Sequence, residues 1–101
     1  MRTGLTSIFS LDSKGKYHTQ TELSQPEDVA LSPDGNTVAV ADTGNNRVRL
    51  YTINGQRLSV IGMKGKGQSQ FDLPLSVTIH PMNVLLVGDS ENNRVQVSTM
   101  V

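Results

Sequence analysis

The stretch Asp42–Tyr51, DTGNNRVRLY, returns near the end of the chain as Asp89–Ser98, DSENNRVQVS. The aspartate, both asparagines, the arginine and the first valine recur in place, each 47 residues later. A period of that size marks stacked repeats, in which each unit is a small supersecondary element that buries its faces only against its neighbours. The chain has 101 residues, which accommodates about two such units.

The match extends outward from this block. Leu23, Pro26, Val29, Leu31 and Pro33 correspond to Phe71, Pro74, Val77, Ile79 and Pro81 at an offset of 48, which falls to 47 by Val40/Val87 and Asp42/Asp89. One residue is therefore missing between Pro81 and Val84. The first copy has Pro33-Asp34-Gly35-Asn36 there and the second has Pro81-Met82-Asn83, and a turn is where a length change is tolerated.

Within the first copy the pattern predicts four short strands. Asp28–Ser32 ends at the Pro-Asp-Gly turn. Thr37–Ala41, TVAVA, is small and apolar on both faces and reads as fully buried, as does its counterpart Val84–Gly88. Arg47–Ile53 alternates, with Val48 and Leu50 on one face and Arg47, Arg49 and Tyr51 on the other. Asn54-Gly55 signals a hairpin, because both positions tolerate positive φ, and Gln56–Ile61 is the returning strand. Gly62–Ser69, GMKGKGQS, reads as a flexible connection to the second copy, which continues through Val84–Gly88 to Arg94–Ser98. Ahead of the first copy, Ile8–Leu11 and Lys16–Glu22 read as the last two strands of an earlier unit. No segment carries a helical period. The chain thus divides into a partial unit at 1–23, a complete unit at 24–70 and a second unit at 71–101 that lacks its fourth strand. Four-stranded antiparallel units of this length are the blades of an all-β propeller, and a closed propeller takes at least about four blades. The sequence therefore calls for further blades, in cis or by oligomerisation.

Nine Lys plus Arg balance nine Asp plus Glu, so net charge selects no partner class. The absence of cysteine excludes a disulfide framework and a Cys-based zinc site. The first residues carry no long apolar stretch of the kind a signal peptide needs, and no run approaches the ~18 apolar residues of a membrane span. These features lead to the expectation of a cytoplasmic protein without a membrane partner.

The residues also resemble the NHL repeat family. The resemblance rests on Pro26 and Val29, Pro74 and Val77, the Asp-x-x-Asn-Asn-Arg-Val blocks at Asp42 and Asp89, and the connector Gly62-x-x-Gly65-x-Gly67-x-x-Gln70-Phe71. It covers roughly residues 23–98 and implies a six-bladed propeller, of which this chain is about two blades. It implies a recognition domain that binds a protein or single-stranded RNA, as at the C-terminus of tripartite-motif ubiquitin ligases. Enzymatic relatives of the amidating-lyase or lactonase type are the alternative the resemblance leaves open. A third possibility is a partial propeller that assembles with itself, three copies of about two blades completing a ring of six.

Candidate site residues fall into two sets. Asp42, Asn45, Asn46 and Arg47, with Asp89, Asn92, Asn93 and Arg94, suit a hydrogen-bonded corner. Asx side chains bond the local backbone and tolerate left-handed φ, and arginine pairs with carboxylate. Lys64 and Lys66 on the glycine-rich connector, with Arg49, Arg57 and Tyr51, form the candidate binding set: cations for phosphate or acidic groups and an aromatic for base stacking. Against it stands the bland reading of a solvated connection. His18 and His80 have no paired carboxylate or cysteine, so neither a metal site, a cofactor nor a catalytic set is predicted.

Overall fold

A computed structural model describes residues 23–100. The strands expected at Ile8–Leu11 and Lys16–Glu22 lie outside the described residues. Seven strands follow in order: β1 (Pro26–Leu31), β2 (Thr37–Asp42), β3 (Arg47–Thr52), β4 (Arg57–Ile61), β5 (Pro74–His80), β6 (Val84–Asp89) and β7 (Arg94–Thr99). They form two antiparallel meanders, β1-β2-β3-β4 and β5-β6-β7. A single 3-10 turn links β2 to β3 at Thr43–Asn45 and β6 to β7 at Ser90–Asn92. Among the described residues no longer helix occurs.

The register of the two sheets is the same. In the first, Val40 pairs with Val29 and with Arg49; in the second, Val87 pairs with Val77 and with Gln96. Both sheets carry an irregularity at the start of their first strand, between Pro26 and Asp28 and between Pro74 and Ser76, where proline cannot donate to the ladder.

The missing residue of the second copy lies in the β5–β6 turn, as the offset indicates. The first copy turns through Gly35 at φ 79°, whereas the shorter second copy needs two left-handed residues, Met82 at 72° and Asn83 at 60°. The β3–β4 hairpin differs from expectation. Only Gly55 has positive φ, at 91°, and Asn54 does not. The Gly55 N–H donates to the Thr52 carbonyl at 2.9 Å and the Thr52 N–H to the Gln56 carbonyl at 2.8 Å. That is a three-residue loop closed by a left-handed glycine, rather than the two-residue turn.

The sheets stack face to face, with β5 against β1 and β2. One core fills the gap: Ala39, Ala41, Val48 and Leu50 from the first sheet meet Val77, Ile79, Leu85 and Val87 from the second, with Phe71 and Met100 at its ends. Alanines on the central strand β2 allow the close approach, and the larger side chains of β5 and β6 fill it. On the opposite face of the first sheet Val38, Val40 and Tyr51 form a second buried cluster with Leu23 against it. Both faces of β2 and β3 are therefore buried. Two such repeating antiparallel sheets, stacked by their faces, are propeller blades.

Candidate functional site

Asp42 ends β2 with its side chain fully buried, where an unpartnered carboxylate would be costly. Its Oδ1 accepts the Ser24 N–H at 2.7 Å, while Oδ2 accepts Asn45 Nδ2 at 2.9 Å and Arg47 Nε at 2.7 Å. Asp89 repeats this arrangement: Oδ1 takes the Asp72 N–H at 2.6 Å, and Oδ2 takes Asn92 Nδ2 and Arg94 Nε, each at 2.9 Å. Asn46 and Asn93 follow at φ 55° and 54°, the left-handed conformation asparagine tolerates, and reverse the chain into the next strand. Burial works against the charged form of Asp89, but the Asp72 N–H, the Asn92 amide and Arg94 outweigh it and hold the carboxyl below its usual value. The corner thus consumes its aspartate, its first asparagine and its arginine internally in both copies.

The second corner does more. Arg94 Nη1 donates to the Lys66 carbonyl at 2.8 Å, and Nη2 to the carbonyls of Gly67 at 2.8 Å and Gln70 at 2.7 Å. Asn92 Nδ2 also donates to the Gly65 carbonyl at 2.8 Å, and Gln96 Nε2 to the Gln70 carbonyl at 2.7 Å. The connector is wrapped around this guanidinium, which places one cation among carbonyl oxygens rather than in water. The Phe71 N–H donates to the Met63 carbonyl at 2.8 Å and the Gly65 N–H to the Phe71 carbonyl at 3.0 Å. Gly62, at φ 101°, lies under the Phe71 ring, where a β-carbon would stand 2.4 Å from two ring atoms. These bonds overturn the expectation of a flexible connector: its glycines permit close approach of Phe71 and Gln70 rather than motion.

The binding set does not come together as one face. Lys64 and Lys66 are exposed on the connector, and Arg57 is exposed on β4. Arg49 and Tyr51 are buried, which corrects the expectation of an exposed polar face on β3. They share the face of Val38 and Val40, and the Arg49 guanidinium sits 5.7 Å from the Tyr51 ring centroid. Tyr51 therefore offers no surface for base stacking. His80 is exposed at the end of β5, and His18 lies outside the described residues. Among the described residues no three His, Cys, Asp or Glu side chains converge as a metal ion would need, and no helix is long and apolar enough to cross a membrane. Sequence reasoning missed Gln70 and Gln96 as members of the site. The signal was present in the spacing Gly65-x-Gly67-x-x-Gln70, which lets the Gln70 side chain fold back so that its Oε1 accepts the Gly67 N–H at 2.9 Å.

Stacked antiparallel blades, each turning at a buried Asp–Asn–Arg corner, define a β-propeller repeat protein. The family profile described as the NHL repeat matches residues 23–51 and 71–97, one stretch in each blade and more than half of the chain. The chain belongs to the NHL repeat family. It is similar to the mouse (Mus musculus) peptidyl-glycine alpha-amidating monooxygenase, with 35% identity over 83 residues, covering 76% of this chain and 8% of that protein. It is also similar to the chicken (Gallus gallus) NHL repeat-containing protein 2, with 32% identity over 78 residues, covering 70% of this chain and 11% of the relative. The chain thus spans only about a tenth of the length of either relative.

Proposed function

We propose that the two blades form part of a recognition surface for a protein partner, with the connector Gly62–Ser69 as the contact point and Lys64 and Lys66 as its charges. The observation that carries this reading is the pinned connector. Its carbonyls at Gly65, Lys66 and Gly67 are taken up by Asn92 and Arg94, while both lysines remain exposed. Ordering the backbone in advance reduces the entropy lost on binding, and two cations on a fixed loop suit an acidic segment. Single-stranded RNA fits less well, because the aromatic of the set is in the interior and only Lys64, Lys66 and Arg57 remain at the surface. In a tripartite-motif-like ligase such blades would serve substrate recognition, with the transfer chemistry in other domains.

A second reading follows from the amidating monooxygenase relative, in which these blades would be scaffold for an active site completed by other parts of a propeller. Affinity capture with the wild-type chain and with Lys64→Glu/Lys66→Glu separates the readings. Proteins released by salt and absent from the variant are expected. RNase-sensitive recovery of RNA, or identical proteins from both baits, would overturn the proposal. Stoichiometric zinc or calcium in the purified protein would favour the enzymatic reading.

A further inference from the structure

At the entry to its first strand each blade holds two exposed side chains whose polarity differs between the copies. Leu73 and Leu75 of the second blade are 39% and 44% exposed. The equivalent residues of the first blade, 48 positions earlier, are Gln25 and Glu27, also exposed. Stacking covers these positions from neither side. The first blade stays open there with the second lying against it, and the second stays open there with the first lying against it. An apolar pair at a place that remains wet within the stack belongs neither to the core nor to the contact between blades, and marks a surface for another molecule.

The pair lies beside the connector. Lys64 and Phe71 meet in a parallel bridge, in which the Phe71 N–H donates to the Met63 carbonyl at 2.8 Å and the Gly65 N–H to the Phe71 carbonyl at 3.0 Å. Two residues past Phe71, the Leu73 N–H is held by Asn46 Oδ1 at 2.8 Å, and the Leu73 backbone is left-handed at φ 55°. That conformation is unfavourable for leucine, so stability gives no reason for leucine at this position. The segment ahead of Leu23 has no Gly-x-x-Gly-x-Gly run, so both the lysine-bearing connector and the leucine pair belong to the second copy alone. Asp72 and Glu91 stand at the same end, with the Glu91 N–H donating to the Asp72 carbonyl at 3.0 Å. A uniform polyanion would meet these carboxylates as well as the lysines. A segment that sets acidic residues on the lysines and an apolar residue on the leucines is not opposed in this way.

We infer that Leu73 and Leu75 receive an apolar side chain of the partner whose acidic residues meet Lys64 and Lys66, so that the segment recognised is a short peptide combining the two. This rests on the reading of the connector as a protein contact and adds the apolar half of its specificity. Charges at a wet rim speed encounter and reject wrong partners, while apolar burial holds the complex together.

Fluorescence anisotropy of the full chain with labelled peptides tests it. One peptide carries aspartates flanking a leucine pair, and the other has alanines in place of the leucines at equal charge. The leucine peptide is expected to bind about 3–30-fold more tightly. Leu73→Gln/Leu75→Gln keeps the charge and copies the polarity that the first blade carries at these positions. Its circular dichroism spectrum is expected to be unchanged, and the two peptides are expected to bind it equally. Lys64→Glu/Lys66→Glu is expected to weaken both. Equal binding of the two peptides by the wild type, with both lost in the lysine variant, overturns the inference and leaves the charge reading in place. A leucine preference that survives Leu73→Gln/Leu75→Gln also overturns it, because the apolar contact would lie elsewhere. Absence of binding by either peptide, or tighter binding of an oligouridylate of the same charge, overturns both readings.

Discussion

Asn46 holds the start of the second blade: its Oδ1 accepts the Leu73 N–H at 2.8 Å across 27 residues of sequence. The residue has two roles, since its backbone is also left-handed at φ 55°. Asn46→Gly keeps the backbone and removes the bond, and is expected to cost about 0.5–1.5 kcal/mol in urea unfolding. Asn46→Ala loses the bond and is also strained, and is expected to cost at least about 1 kcal/mol more. The Asn93 side chain has no such partner among the described residues, so Asn93→Gly should cost less than Asn46→Gly. Equal losses at 46 and 93 would show that the link contributes nothing.

Acid should loosen the second corner through Asp89. Its carboxyl is held below the ordinary value of 3.8 in the fold. A carboxylate with a folded pKa below its unfolded one contributes its full stability above the unfolded value and loses it as pH falls through the folded value. Stability is expected to be flat from neutrality to about pH 5 and to decline below pH ~4. Asp89→Asn should flatten that decline in part. Asp34, lowered by the Ser32 hydroxyl and the Asn36 N–H, titrates in the same direction and preserves some slope. An unchanged acid slope in Asp89→Asn would remove Asp89 from the account.

Two glycine-to-alanine changes should behave oppositely. At Gly62 the new methyl would meet the Phe71 ring at a left-handed φ, so Gly62→Ala is expected to cost at least about 2 kcal/mol. At Gly88 it would meet only the Ser76 hydroxyl, a group that can rotate away, and the equivalent residue of the first blade is already Ala41. Gly88→Ala is expected to stay within about 0.5 kcal/mol of the wild type by thermal or urea unfolding.

Trypsin reports on the connector, because Lys64 and Lys66 are its cleavage points. With the carbonyls of Lys66, Gly67 and Gln70 held by Arg94, cutting should be slow. Arg94→Ala removes charge-assisted bonds worth about 1.5–3 kcal/mol each in general, so cleavage at these lysines should accelerate at least about tenfold. Equal rates would mean that the loop opens without breaking those bonds.

The strands and corners were legible because each follows from a local rule. Alternation and turn residues locate β1 at Asp28–Ser32 against the observed Pro26–Leu31, and β2, β3, β4, β6 and β7 come within one residue at each end. The Asn54-Gly55 turn was misread locally, but the errors on β3 and the connector have one physical source, the neighbour. Alternation in Arg47–Ile53 points Arg49 and Tyr51 at solvent, as for a sheet with one wet face, whereas a blade is covered on both. The doubly apolar Thr37–Ala41 already implied burial of both faces, and β3 shares those faces. The connector was misread because glycine content alone does not distinguish a loop that moves from one over which Phe71 and Gln70 must fit. The connector carbonyls that Arg94 binds lie 24–28 residues away, beyond any local pattern.

That distance also sets an order of events during synthesis. The carbonyls of the connector emerge first, and the guanidinium that gathers them follows 28 residues after Lys66. At about 5–20 residues per second, the loop spends roughly 1–6 s without its fastener. Through that interval the first sheet can form while its Val48 and Leu50 face still awaits the second. The arginine that opens β7 therefore acts as a latch, one that can close only after the connector and the whole first sheet have been synthesised.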